Sequence, residues 1–223
     1  MKEIIEGVHR FRTQVFPQKR QLFAALAKGQ KPRALMISCA DSRVDMQLVT
    51  QCDPGHLFFF RNAGNIVPPY GVVLGAASAT IEYAMEALEI PNIIVCGHSD
   101  CGAMKALLSP HGIEARMPTV AQWLKFGDAA RQIALRDNES DPQATLDRLI
   151  KLNVLSQIEH LKTHPAVAVR VANGEVKLHG WVYDIEHGGV DAYDHETGKF
   201  VPVDRESDAH ATKWSHLNSG AEV

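Results

Sequence analysis

The sequence predicts an α/β fold in which a mostly parallel central β-sheet is flanked by helices and preceded by an N-terminal helical arm. Short apolar runs at 34–37, 57–61 and 93–96 have the length and the β-branched or aromatic content of buried strands. Segments with helical apolar spacing separate them, and strands alternating with helices are the pattern of a parallel sheet. With 223 residues the chain can bury a proper core as one domain, read as 1–205, followed by a polar, weakly patterned tail, 206–223, expected to be mobile.

In the arm, Ile4, Val8, Phe11 and Val15, then Leu22, Phe23 and Leu26, recur at helical spacing. Pro17 predicts a break between two amphipathic helices, and Gly29 a stop. Arg33 to Cys39 reads as a buried strand, Val44 to Gln51 as a short helix and Leu57 to Arg61 as a second strand, with Pro54-Gly55 as the turn. Small residues from Gly75 to Ala79, followed by Ile81, Ala84, Met85 and Leu88, predict a helix over 72–89 packed closely on the sheet. Asn92 to Cys96 is a third strand, and Pro118 to Leu161 reads as largely helical, interrupted at Asn138 to Pro142. Val167 to Val171 and Lys177 to Ile185, joined by Asn173-Gly174, read as two further strands. In such sheets ligands gather beyond the C-terminal ends of the strands, where Cys39 and His98 both fall.

Composition narrows the function. The 23 basic and 26 acidic side chains leave a formal charge of −3, too mild for a nucleic-acid or membrane-surface partner. Neither a signal peptide nor a membrane span is evident, so a cytoplasmic location is expected, where thiols serve as metal ligands more readily than as disulfides.

Two motifs carry chemistry. Cys39-Ala40-Asp41-Ser42-Arg43 follows the first strand, and Gly97-His98-Ser99-Asp100-Cys101-Gly102 follows the third. Two thiols and an imidazole can converge on one zinc ion, leaving a fourth tetrahedral position for water. A carboxylate at Asp41 stands close enough to take that position itself. Arg43 can grip it through two parallel charge-assisted hydrogen bonds and hold it off as an ionised acceptor; the plainer reading is an ion pair in a turn. Cys52 and Cys96 fall outside both motifs, and no histidine presents itself as a proton shuttle.

These motifs resemble the Cys-x-Asp-x-Arg and His-x-x-Cys-Gly signatures of the β-class carbonic anhydrases, most closely the bacterial branch that includes cyanate-operon and cyanobacterial enzymes. Arg61-Asn62-Ala63-Gly64-Asn65, Ile81-Glu82-Tyr83-Ala84 and His179-Gly180-Trp181-Val182-Tyr183-Asp184 extend the likeness over Met1 to about Val203. The resemblance implies a zinc lyase, with Cys39, His98 and Cys101 as metal ligands, Asp41 and Arg43 as the catalytic dyad, and hydroxide on zinc converting carbon dioxide to bicarbonate and a proton. It further implies substrate contacts from Gln30, Phe58, Tyr83 and the Gly102 N–H, and a homodimer or homotetramer whose arms embrace neighbouring subunits. Some relatives carry a second bicarbonate pocket that includes a tryptophan three positions before the first cysteine; Met36 stands there, beside matching Arg61 and Tyr183, so inhibition of that kind is expected to be weak or absent.

The alternatives are a hydrolase of carbonyl sulfide or carbon disulfide on the same scaffold, and a non-catalytic zinc assembly protein. A serine nucleophile elbow is excluded because Ser99 is off-centre and Cys101 stands where glycine is needed. A thioredoxin-like reading fails for want of a Cys-x-x-Cys.

Overall fold

A computed structural model describes residues 1–110, 112–137 and 141–203. The sequence reading of 206–223 as a mobile tail therefore lies outside the described residues, as does most of the polar break at 138–142.

Residues Met1–Lys31 form a compact unit of their own, and a second unit begins at Pro32. In the first, α1 (Lys2–Arg10) continues through a π-helical segment, Phe11–Val15, into the short α2 (Phe16–Gln18), and α3 (Arg20–Leu26) follows. The break expected at Pro17 falls instead at Lys19, whose φ of −107° and ψ of 18° leave the helical region. Pro17 directly follows the π-helical segment, and the chain stays helical through Phe16 into it. Phe11, Phe16 and Phe23 cluster, with ring centroids 5.2–6.1 Å apart, and fix the bend within the unit. Ile4, Ile5 and Val8 remain exposed along α1.

The second unit is built on a six-stranded sheet, β2-β1-β3-β4-β5-β6, from β1 (Ala34–Cys39), β2 (Leu57–Asn62), β3 (Asn92–His98), β4 (Lys177–Tyr183), β5 (Val190–Asp194) and β6 (Lys199–Pro202). The first four strands run parallel, and β5 and β6 add an antiparallel ribbon. All of β1 is buried, as its continuous apolar run requires of a central strand covered on both faces. Chain order reverses around β1, with β2 on one side and β3 on the other. The crevice at this reversal lies beyond the C-terminal ends of β1 and β3, at Cys39 and His98.

Helices α4 (Met46–Thr50), α5 (Ala76–Glu86), α6 (Gly102–Leu108), α7 (Ile113–Arg116), α8 (Pro118–Leu124), α9 (Asp128–Ala134), α10 (Pro142–Leu161) and α11 (Pro165–Ala172) complete the unit. The Asp45 side chain caps α4 by accepting from the Gln47 and Leu48 N–H groups, which sets its start two residues after Val44. α10 crosses β3 and β4 so closely that a Cβ at Gly97 or Gly180 would stand 2.9–3.1 Å from Ile150, Val154 or Ile158. α5 begins at Ala76 rather than Val72, and Val72 and Leu74 stay exposed in the preceding loop.

One predicted strand is a helix. Val167 to Val171 lies in α11, where Val167 is buried and Val169 is 60% exposed. Alternating valines imitate a period of two, but Pro165 in the first turn and Asn173-Gly174 at the end are helix boundary signals, and those govern. β5 and β6, absent from the sequence reading, extend the sheet beyond β4 as a hairpin whose turn carries Gly198 at a φ of 68°. No helix among the described residues is long and apolar enough to cross a membrane.

Candidate metal centre

Three buried side chains meet at the crevice: Cys39 at the end of β1, His98 at the end of β3, and Cys101, the residue before α6. Their ligand atoms all lie within 4.8 Å of one another. The turn from His98 to Cys101 is made possible by Asp100, whose φ of 58° is a left-handed conformation that aspartate tolerates better than most residues.

The polar groups are arranged for a cation. His98 is fully buried, and its Nδ1–H donates to the Ser99 carbonyl at 2.8 Å, which leaves the lone pair on Nε2. That Nε2 has no hydrogen-bond partner, a cost a protein rarely bears unless the atom has another use. The sulfurs share one proton: the Cys101 thiol donates to Cys39, which, with help from the Gly64 N–H against the opposing effect of burial, brings Cys39 down to about 4. Cys101 is pushed up by the same bond and by burial. Two sulfurs and an imidazole nitrogen make a donor set that suits a thiophilic dication and leaves a tetrahedral position open.

Beside the cluster stands Asp41. Arg43 grips it in a side-on fork, Nε to Oδ1 at 3.0 Å and Nη2 to Oδ2 at 2.8 Å, and the Arg43 backbone N–H adds a bond to Oδ1 at 2.9 Å. These bonds hold the Asp41 carboxyl well below the usual carboxylate range. Oδ2, the oxygen shared with Nη2, lies 3.9 Å from His98 Nε2, so the carboxylate borders the ligand cluster. Gly102 opens α6 immediately after Cys101, and a Cβ built on it would meet no heavy atom within 4 Å.

The remaining expected site residues are placed differently. Phe58 on β2 and Tyr83 on α5 pair with ring centroids 6.0 Å apart. Phe58 is level with Leu35, whereas Asn62 is level with Cys39, a separation along the strand of about 13 Å at the usual rise. Within one chain the two rings therefore form a pair apart from the metal cluster. Gln30 belongs to the N-terminal unit. Of the other cysteines, Cys52 is half-buried, and Cys96 packs against Met46, its thiol pushed up to about 12 by burial.

Some supporting residues escaped sequence reasoning. The Gly64 N–H approaches Cys39 Sγ at 3.5 Å, and Gly64 is itself held from behind, Asn153 Nδ2 donating to its carbonyl at 3.0 Å. Trp123 Nε1 donates to the adjacent Ala63 carbonyl at 2.9 Å, and Gln157 Oε1 accepts from the Val67 N–H at 2.8 Å. A polar stripe on α10 thus clamps the segment behind Cys39. Its only sequence signal was a pair of amides, Asn153 and Gln157, one turn apart on an otherwise apolar helix face.

A family model described as "Carbonic anhydrase" matches residues 34–190. A carbonic anhydrase of Pseudomonas aeruginosa is 47% identical over 203 residues, covering 91% of this chain and 92% of that protein. The solved structure of the β-carbonic anhydrase CcaA superposes with a TM-score of 0.89 at 45% identity, over 92% of each chain. One of two tetrameric β-carbonic anhydrases of Sordaria macrospora superposes at 0.76 with 28% identity, over 86% of this chain and 95% of the other.

Proposed function

The chain belongs to the β-class carbonic anhydrase family, enzymes of reversible carbon dioxide hydration, and on that premise we propose that Cys39, His98 and Cys101 hold zinc and that Asp41 and Arg43 are the catalytic dyad. The observation that carries the proposal is the orphaned Nε2 of fully buried His98, facing two sulfurs and bordered by an arginine-held carboxylate. When bound, zinc supplies Lewis acidity that makes hydroxide available from water near neutral pH.

The chain's own residues do the rest. Arg43 keeps Asp41 ionised and fixed in orientation. Asp41 Oδ2 accepts the O–H of the attacking hydroxide, which aims the oxygen lone pair at the substrate carbon. The Gly102 N–H, in the first turn of α6 where no intrahelical carbonyl is in reach, offers a donor to a substrate oxygen.

Phe58, Tyr83 and Gln30 complete an apolar cleft, in this reading, when a second copy of the chain is present. Two features support such an assembly. β2 is an edge strand whose sequence Leu57-Phe58-Phe59-Phe60 is only half-buried, and an apolar edge left open invites pairing. α1 also presents Ile4, Ile5 and Val8 to solvent. A homodimer or homotetramer in the cytoplasm fits these surfaces and the need for reduced thiols.

Stopped-flow hydration of carbon dioxide, with zinc measured on the same sample, tests the proposal. Asp41→Asn should retain zinc and lower kcat/KM by about a hundredfold or more, the usual worth of a positioned acid–base group. Fully zinc-loaded protein that fails to hydrate carbon dioxide, while releasing sulfide from carbonyl sulfide, would transfer the assignment to the hydrolase alternative.

A further inference from the structure

Arg43 has a second carboxylate partner. Nη1 donates to Asp100 Oδ2 at 3.0 Å, and Nη2 also reaches the Asp100 carbonyl at 3.3 Å. The other oxygen of Asp100, Oδ1, is taken by the Lys105 ammonium, which projects from α6. Asp100 lies 57 residues from Arg43 in sequence, in the turn that presents both His98 and Cys101, so one guanidinium joins the dyad to the metal-ligating turn.

We propose that Asp100, itself anchored by Lys105, is a positioning residue that fixes the Arg43 guanidinium in the plane from which it holds Asp41 off the metal. The inference rests on the metal-centre reading above. A fork on one carboxylate leaves a guanidinium free to swing about that contact. Engaging Nη1 on a separate chain segment removes this freedom, because all five N–H donors lie in one rigid plane. The side chains of Arg43, Asp100 and Lys105 are 45%, 48% and 51% exposed, so the cluster adds little to overall stability. Its effect is on orientation: once Arg43 swings away, Asp41 Oδ2, 3.9 Å from His98 Nε2, is free to enter the metal's fourth position.

The test compares zinc-loaded Asp100→Ala, Asp100→Asn and Lys105→Met with the parent. It reads zinc per chain, carbon dioxide hydration, and the affinity for azide from the visible spectrum of the cobalt-loaded proteins. Asparagine keeps a short oxygen acceptor and tolerates the left-handed backbone, so Asp100→Asn separates loss of the contact from loss of the turn. Metal content is expected at the parental level throughout. For Asp100→Ala, kcat/KM is expected to fall about two- to fivefold, the scale of one half-exposed charged contact, with smaller losses in the other two. Azide affinity falls by the same factor, because a released Asp41 competes with the anion. In an Arg43→Lys background, where the fork is gone, Asp100→Ala adds nothing further.

Parental turnover and azide affinity in fully metal-loaded Asp100→Ala overturn the proposal, as does an undiminished additional loss in the Arg43→Lys background. Failure of the metal-centre reading looks different, since the parent itself then lacks zinc or hydration.

Discussion

Replacing Gly64 with alanine tests the link between packing and the metal centre, because two separable costs can be worked out for it. Gly64 has a φ of 79°, where a residue with a Cβ pays about 1–2 kcal/mol. That Cβ would stand 2.9 Å from Met104 Cε and 3.1 Å from Ala103 Cβ. Met104 is flexible but fully enclosed in the cluster beneath α6, and Ala103 moves only with its backbone, so overpacking adds about 1–3 kcal/mol. The total expected is about 2–5 kcal/mol, measured by urea denaturation at fixed protein concentration. Gly174→Ala is the control: its φ is 72°, but a Cβ there meets nothing within 4 Å, so only the backbone cost of about 1–2 kcal/mol applies. Because Ala103 and Met104 directly follow Gly102, relief of the clash displaces the start of α6 and with it Cys101, and zinc affinity should drop in Gly64→Ala alone. Equal denaturation midpoints and equal zinc affinities in the two variants would refute the reasoning.

Other outcomes follow from the site's electrostatics. The hydrogen bonds from Arg43 depress the Asp41 carboxyl, so carbon-13 NMR should show it ionised from about pH 4 upward, and Arg43→Gln should move its titration up toward the unperturbed value near 3.9. The stability from this depressed group is fully present above the unfolded-state value and is lost as pH falls through the lower folded value; a wild-type carboxyl titrating above pH 5 would contradict this. The hydrogen bond between the two thiols lowers Cys39 and raises Cys101, so calorimetry in buffers of different ionisation enthalpy should find fewer than two protons released from the cysteine pair on zinc binding. Bicarbonate should act as a simple product inhibitor. Met36 is fully buried, and Arg61 spends Nε and Nη2 on the carbonyls of Cys39, Asp41 and Val44; a bicarbonate-induced form with Asp41 on the metal would show that the second pocket exists after all.

Legibility varied with the range of the interaction that decides each feature. β1 and β3 were readable because a buried parallel strand must be apolar along its whole length, and few other elements look like Leu35 to Ile37 or Ile93 to Cys96; β2, half-buried at the edge, was readable from its aromatic run Phe58 to Phe60. Over 167–171 the same logic misled, since alternation of valine and alanine serves a short amphipathic helix equally well, and the decisive Pro165 lies just outside the pattern. The hairpin of β5 and β6 was missed because its strands are short and half-buried and therefore mixed in polarity.

What the sequence determined by itself was the set of chemical groups: which cysteines and histidine close the strands, and that an aspartate and an arginine stand two residues apart with the spacing of a side-on fork. These are short-range facts, carried by turns of a few residues whose geometry is nearly independent of the rest of the chain. Only the tertiary structure decided that the Asp100 carboxylate turns toward Arg43, that Gly64 is pressed against α6 by Asn153, and that Phe58 and Tyr83 pair away from the metal cluster. Each depends on strand register and helix packing between segments distant in sequence, and a sum of many weak contacts of that kind leaves no mark at any single position.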